Sequence, residues 1–138
     1  TCKADRIERQ ADGSYVIVDY KTGAPPTDKQ VRAGLSPQLP LEAMMLAMDG
    51  FAEIPAGAIG ALEYWRLSGG EPAGERKPLK GTLEELIEEA EDGLLKLIEA
   101  FDDPVTPYRS RPAPEHAPRY SDYEHLARVK EWSAAGEV

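Results

Sequence analysis

An apolar run, Val16-Ile17-Val18, passes without a break into Asp19-Tyr20-Lys21-Thr22-Gly23. Branched residues in succession favour a strand, and strand side chains alternate between faces, so Asp19 and Lys21 fall on one face at its end. A carboxylate carried into such a strand costs free energy unless something compensates it. Any fold adopted by the chain must therefore place this pair where charge has a partner or a use. Upstream, Lys3-Ala4-Asp5-Arg6-Ile7-Glu8-Arg9 reads as a second strand, and Gln10-Ala11-Asp12-Gly13 between the two is a hairpin signal.

Register decides whether Asp5 and Asp19 meet. A two-residue Asp12-Gly13 turn sets Asp5 opposite Tyr20 and sends Asp19 to the other face, because a slip of one residue reverses every side chain. A three-residue Ala11-Asp12-Gly13 loop, with Gly13 left-handed in a bulge, pairs Asp5 directly with Asp19. The second register is the expected one. Asp5 and Asp19 on opposite faces would dissolve any joint site.

Further along, Gly23-Ala24-Pro25-Pro26 stops the strand and residues 24–35 read as a polar connection. Ser36-Pro37 reads as an N-cap with proline in the first helical turn. Leu41, Met44, Met45 and Met48 then form an apolar helical stripe, with Gln38 and Glu42 stacked on a neighbouring face. Residues 60–67 are a third, aromatic-rich strand, and 69–81 read as a surface loop. Thr82-Leu83-Glu84-Glu85 is a capping box for a helix to about residue 101, with Leu83, Leu86, Ile87, Ala90, Leu94, Leu97, Ile98 and Phe101 inward. A proline-rich connection, 104–118, leads to a final helix at about 121–132.

The chain's 138 residues suit one domain, and no window approaches the roughly 18 consecutive apolar residues of a membrane span. Thr1-Cys2-Lys3 looks like the cut edge of a larger protein. The lone cysteine, Cys2, forms no internal disulfide and suits a reducing cytoplasm. A net charge of −9 argues at first against a nucleic-acid partner. The charge is uneven, however. Residues 1–32 carry six basic and five acidic residues, whereas 82–103 carry nine acids and only Lys96, so most of the excess sits on one helix.

Two carboxylates beside a lysine at a hairpin end suit a hard divalent cation shared with a phosphate, the lysine orienting water and stabilising developing charge. On spacing alone, an ordinary Asp19–Lys21 ion pair at a strand edge, with Asp5 and Arg6 as solvent-facing charges, is the favoured reading.

The ordered set Lys3-Ala4-Asp5-Arg6-Ile7, Val18-Asp19-Tyr20-Lys21-Thr22-Gly23, Pro37-Gln38-Leu39-Pro40-Leu41-Glu42, Tyr64-Trp65-Arg66-Leu67-Ser68-Gly69 and Asp122-Tyr123-Glu124-His125-Leu126 resembles the RecB-type branch of the PD-(D/E)XK nucleases. The closer likeness is to the C-terminal nuclease domain of AddB-type subunits of bacterial helicase-nucleases that process double-strand breaks. The resemblance implies an α/β, restriction-endonuclease-like core: a small mixed sheet with a β-hairpin, flanked by helices, with residues 1–138 as a single nuclease-type domain. It implies Mg2+- or Mn2+-dependent hydrolysis of DNA phosphodiesters, with Asp5 and Asp19 as metal ligands, the Tyr20 carbonyl as a further ligand, Lys21 as catalytic lysine and Gln38 organising the site and DNA contacts. It also implies a helicase-nuclease partner subunit.

Departures from the family pattern set further expectations. Many relatives have Tyr four residues after the glutamine, where this chain has Glu42. An upstream helix that completes the metal site in relatives has no counterpart here, so an N-terminally truncated fragment, weak in metal binding or inactive alone, is expected. Residues 104–120 lack the cysteines of relatives that hold an iron-sulfur cluster, so none is expected. The chain also lacks a phosphate-binding G-x-x-x-x-G-K-[ST] loop. The rival readings are a catalytically inactive nuclease-fold module for DNA guidance or subunit docking, and an unrelated acidic interaction domain.

Overall fold

The computed structural model describes residues 3–48, 50–109, 113, 116, 124–128 and 131. Strands β1 (Arg6–Arg9) and β2 (Tyr15–Lys21) form the hairpin. Their register runs from Arg9 opposite Tyr15 to Arg6 opposite Val18. The turn carries the expected glycine: Gly13 has φ +89° and donates its N–H to the Gln10 carbonyl at 3.0 Å, while Gln10 N–H donates to Ser14 O at 2.8 Å. Asp12 secures the exit by accepting from Ser14 N–H at 2.9 Å and from its hydroxyl at 2.7 Å. These bonds hold Asp12 below its ordinary carboxylate pKa. This is the three-residue loop, and one step beyond the last strand pair it sets Asp5 across from Asp19.

The segment expected as a plain connection, 24–35, contains a short helix, α1 (Asp28–Arg32). Its start is a capping box in which Thr27 Oγ1 accepts from Gln30 N–H and Gln30 Oε1 accepts from Thr27 N–H. Helix α2 (Gln38–Met48) follows, then β3 (Ile59–Leu67). Strand β3 lies parallel to β2, a pairing that requires the crossover through α2. The expected loop at 69–81 instead contains β4 (Gly74–Pro78), paired antiparallel with β3. Its polar, glycine-bounded sequence hid an edge strand, where charge is favoured. The sheet order is β1-β2-β3-β4, a four-stranded mixed sheet. Helix α3 (Leu83–Asp102) and the short α4 (Glu124–Ala127) complete the described elements.

One face of the sheet holds the core: Tyr15 and Ile17 of β2, Leu62 and Tyr64 of β3, and Leu79 pack with Val31, Leu39, Ala43, Leu46 and Leu86 from the helices. The buried stripe of α2 is thus Leu39, Glu42, Ala43 and Leu46, not Leu41, Met44, Met45 and Met48. Met48 is 65% exposed. Both sets have helical spacing, and the true one was disguised by the acid within it. In α3 only Leu86 and Ala90 are buried, whereas Leu97, Ile98 and Phe101, expected inward, are exposed.

On the opposite face, Arg6 and Arg76 stand over the Trp65 ring at 5.2 and 5.3 Å from its centroid, and Tyr20 meets Trp65 edge-on. Val16 and Val18, on this same face by strand alternation, are buried although outside the core cluster. Glu63 accepts from Arg76 Nε at 3.0 Å, from Arg76 Nη2 at 2.8 Å and from Trp65 Nε1 at 2.7 Å. The Arg76 bonds, helped by Trp65 and opposed by burial, hold the Glu63 carboxyl below its usual pKa.

The chain divides into two compact units, Thr1–Ala100 and Phe101–Val138. In the second, Phe101 stacks on Tyr108 with ring centroids 4.7 Å apart. Half of the expected final helix, 121–132, lies outside the described residues, Tyr123 and Trp132 among them.

Candidate active site

Asp19 comes from the C-terminal end of β2 and is 2% exposed. It shares the core face with Tyr15 and Ile17 by strand alternation, so the apolar run that makes β2 a central strand also carries the carboxylate inward. Lys21, two residues on and on the same face, places Nζ 2.6 Å from Asp19 Oδ2. The lysine is one-third exposed and the aspartate almost wholly buried, so the pair spans the boundary between core and solvent. Asp19 Oδ2 nevertheless accepts no hydrogen bond among the described residues. The ion pair with Lys21 is the contact that this oxygen has, and a carboxylate oxygen so paired keeps a further lone pair.

Asp5 completes the expected pair. Its Oδ2 accepts from Tyr20 N–H at 3.1 Å, a bond that ties the carboxylate to the backbone beside Asp19. Asp5 lies just before β1, and the hairpin register continued by one step sets it across from Asp19, as two carboxylates serving one ion would be. Tyr20 turns its side chain to the other face, where its hydroxyl accepts from Arg6 Nη1 at 3.1 Å. Its backbone therefore lies between Asp5, Asp19 and Lys21 while its ring is used elsewhere.

Gln38 stands at the start of α2 with its side chain exposed, and among the described residues it bonds neither aspartate. Its Nε2 donates to Glu42 Oε1 at 3.0 Å. Glu42 is 2% exposed and is therefore not a surface acid.

Tyr64 is the member that sequence reasoning missed. It sits opposite Asp19 in the β2–β3 register and is 1% exposed, and its hydroxyl has no hydrogen-bond partner among the described residues. Burial chiefly, with the negative charges of Asp19 and then Glu42, pushes the phenol far above its ordinary pKa, so the hydroxyl stays protonated. Lys21 Nζ lies 5.9 Å from the Tyr64 ring centroid. Only the parallel pairing of β2 with β3 reveals this neighbour, and no local pattern encodes that register. The same register places Arg66 opposite Lys21. Arg66 is exposed and makes no ion pair or side-chain hydrogen bond among the described residues. Ligand sites in sheets with parallel strands lie characteristically at the strands' C-terminal ends, and Asp19, Lys21, Tyr64 and Arg66 all do.

The donor set is made of oxygens, with two opposed carboxylates, one of them holding a buried oxygen free of hydrogen bonds. That fits a hard cation that fills its remaining positions with water or phosphate oxygen. Among the described residues no cluster of three or more His, Cys, Asp or Glu side chains is arranged to hold a metal by itself.

Residues 1–119 match the PD-(D/E)XK nuclease superfamily, whose nucleases typically use divalent metals. An uncharacterised protein of Rickettsia bellii is 31% identical over 137 residues, covering 89% of this chain and 16% of the relative. An uncharacterised protein of Rickettsia conorii is 50% identical over 50 residues, covering 36% of this chain and 6% of the relative. One from Rickettsia felis is 52% identical over 48 residues, covering 35% of this chain and 6% of the relative. The chain thus spans a small fraction of these relatives' length. No solved structure matches. The match across 119 residues and the four-stranded mixed sheet flanked by helices agree, and the chain belongs to the PD-(D/E)XK nuclease superfamily.

Proposed function

We propose that the chain is the nuclease module of a helicase-nuclease that processes double-strand breaks in the cytoplasm, hydrolysing DNA phosphodiester bonds with Mg2+ or Mn2+. The observation that carries this reading is Asp19: a buried carboxylate, facing Asp5 and touched by Lys21, that keeps one oxygen without a hydrogen bond. Asp5, Asp19 and the Tyr20 carbonyl are the oxygens that would hold the cation. When bound, a divalent cation supplies Lewis-acid stabilisation of the charge on the phosphoryl group. Lys21 has the reach and the charge to orient an attacking water and to stabilise the negative charge that develops on the phosphate. Tyr64 keeps its proton and closes the inner wall behind Asp19, limiting water around the carboxylate. Arg66, across from Lys21, is placed to contact a neighbouring phosphate. Gln38, exposed at the start of α2, would touch the DNA strand.

Among the described residues no helix is long and apolar enough to cross a membrane. The partner subunit and the break-processing role follow from the likeness to AddB-type domains and carry over as part of this proposal. Cleavage of linear DNA with Mg2+ or Mn2+, compared with chelator, tests the reading. Wild-type cleavage that falls about 100-fold or more in Asp19→Ala and Lys21→Ala supports it, and cleavage unaffected by both substitutions refutes it. DNA binding without cleavage would reassign the chain to strand guidance.

A further inference from the structure

Glu42 is the only acid in α2, and it is buried. A buried carboxylate must be hydrogen-bonded to be tolerated, and Glu42 Oε1 receives its bond from Gln38 Nε2, one turn earlier, at 3.0 Å. The chemistry of this contact is one-sided. With Nε2 as the donor, the Gln38 amide turns its NH2 group toward Glu42 and its carbonyl oxygen away from it. Gln38 is otherwise exposed, and without Glu42 its amide would rotate freely. Glu42 is anchored on its inner side as well. It packs in the stripe with Leu39, Ala43 and Leu46, close enough to Tyr64 to act on its phenol electrostatically.

We propose that Glu42 is a positioning residue that fixes the orientation of the Gln38 carboxamide, so that Gln38 offers a bound strand its carbonyl oxygen together with its second N–H. The inference deepens the nuclease reading and rests on it for the identity of the strand. Phosphate oxygens are acceptors, and a carbonyl oxygen cannot bond them. The outward carbonyl oxygen therefore suits a hydrogen-bond donor on the substrate side, a base amine or an ordered water, while the second N–H of Nε2 is left for an acceptor beside it.

Two measurements on the full chain test this. In the first, the side-chain amide resonances of Gln38, assigned with Gln38→Ala, are followed by nuclear magnetic resonance. One Nε2 proton should be displaced and slow to exchange in the wild type, and both should become free-amide-like in Glu42→Ala. An unchanged or already free amide overturns the proposal. In the second, Glu42→Gln, Gln38→Ala and the double variant are compared in DNA cleavage, with thermal melting as a check on folding. Each single change should raise KM about threefold to tenfold with kcat little altered, and Glu42→Gln should add nothing in the Gln38→Ala background. Losses that multiply would show that Glu42 acts independently of Gln38 and would overturn the proposal. The amide measurement decides the role of Glu42 even where the chain alone cleaves no DNA, so this proposal and the nuclease reading fail separately.

Discussion

At the scale of single residues, each acid buried among the described residues has a companion. Asp19 has Lys21, Glu42 has Gln38, and Glu63 has Arg76 and Trp65. The Glu63 group gives a pH prediction whose sign is set by its depressed carboxyl pKa. Its contribution to stability is present above the unfolded value near 4.5 and is lost as pH falls through the lower folded value. Melting temperature against pH should therefore drop more steeply below about pH 4.5 in the wild type than in Glu63→Gln; parallel curves would contradict the assignment. The Asp5, Asp19 and Lys21 constellation was legible in the sequence because strand alternation and one turn glycine suffice to bring it together. Tyr64 was not, since its place depends on a parallel pairing across the intervening α2. Glu42 stood in plain view, but an acid four residues after an exposed glutamine reads as surface until the helix's orientation is known.

At the scale of elements, the hairpin is the best-determined piece and α2 the most instructive. The turn needs a left-handed residue at position 13. Gly13→Val should destabilise the chain by about 1–2 kcal/mol in denaturant unfolding, with Gly13→Asn costing less, because Asn enters that region more readily. In α2, two stripes compete for the core by spacing alone, and the rotation observed buries Leu46 fully while leaving Met48 65% exposed. Leu46→Ala should lose about 2–5 kcal/mol, whereas Met48→Ala should stay within about 0.5 kcal/mol. The reverse order would mean that the helix presents the methionine face. A pattern count favours that face because it contains only apolar residues. The structure instead accepts a carboxylate in the buried stripe, where Glu42 supports Gln38. Strand β4 escaped detection for a related reason: an edge strand tolerates charge and glycine, so its composition is that of a loop.

At the scale of the whole molecule, the net charge of −9 and a nucleic-acid partner are compatible because the charges are segregated. The acids crowd α3, while Lys21 and Arg66 stand side by side at the ends of β2 and β3. A contact from Arg66 to phosphate should show in the salt dependence of DNA binding. Arg66→Ala should lower the slope of log affinity against log salt by about 0.9 on duplex DNA, without altering sequence preference, and an unchanged slope would place Arg66 off the DNA path. The central claim is narrower: that Asp19 holds a metal and Lys21 serves the reaction rather than the ion. Titration of Mn2+ into wild type, Asp19→Asn and Lys21→Ala separates the two roles most directly. The account predicts that binding is lost in Asp19→Asn and retained or strengthened in Lys21→Ala, where the competing ammonium is gone. Equal Mn2+ binding by Asp19→Asn and wild type would contradict it.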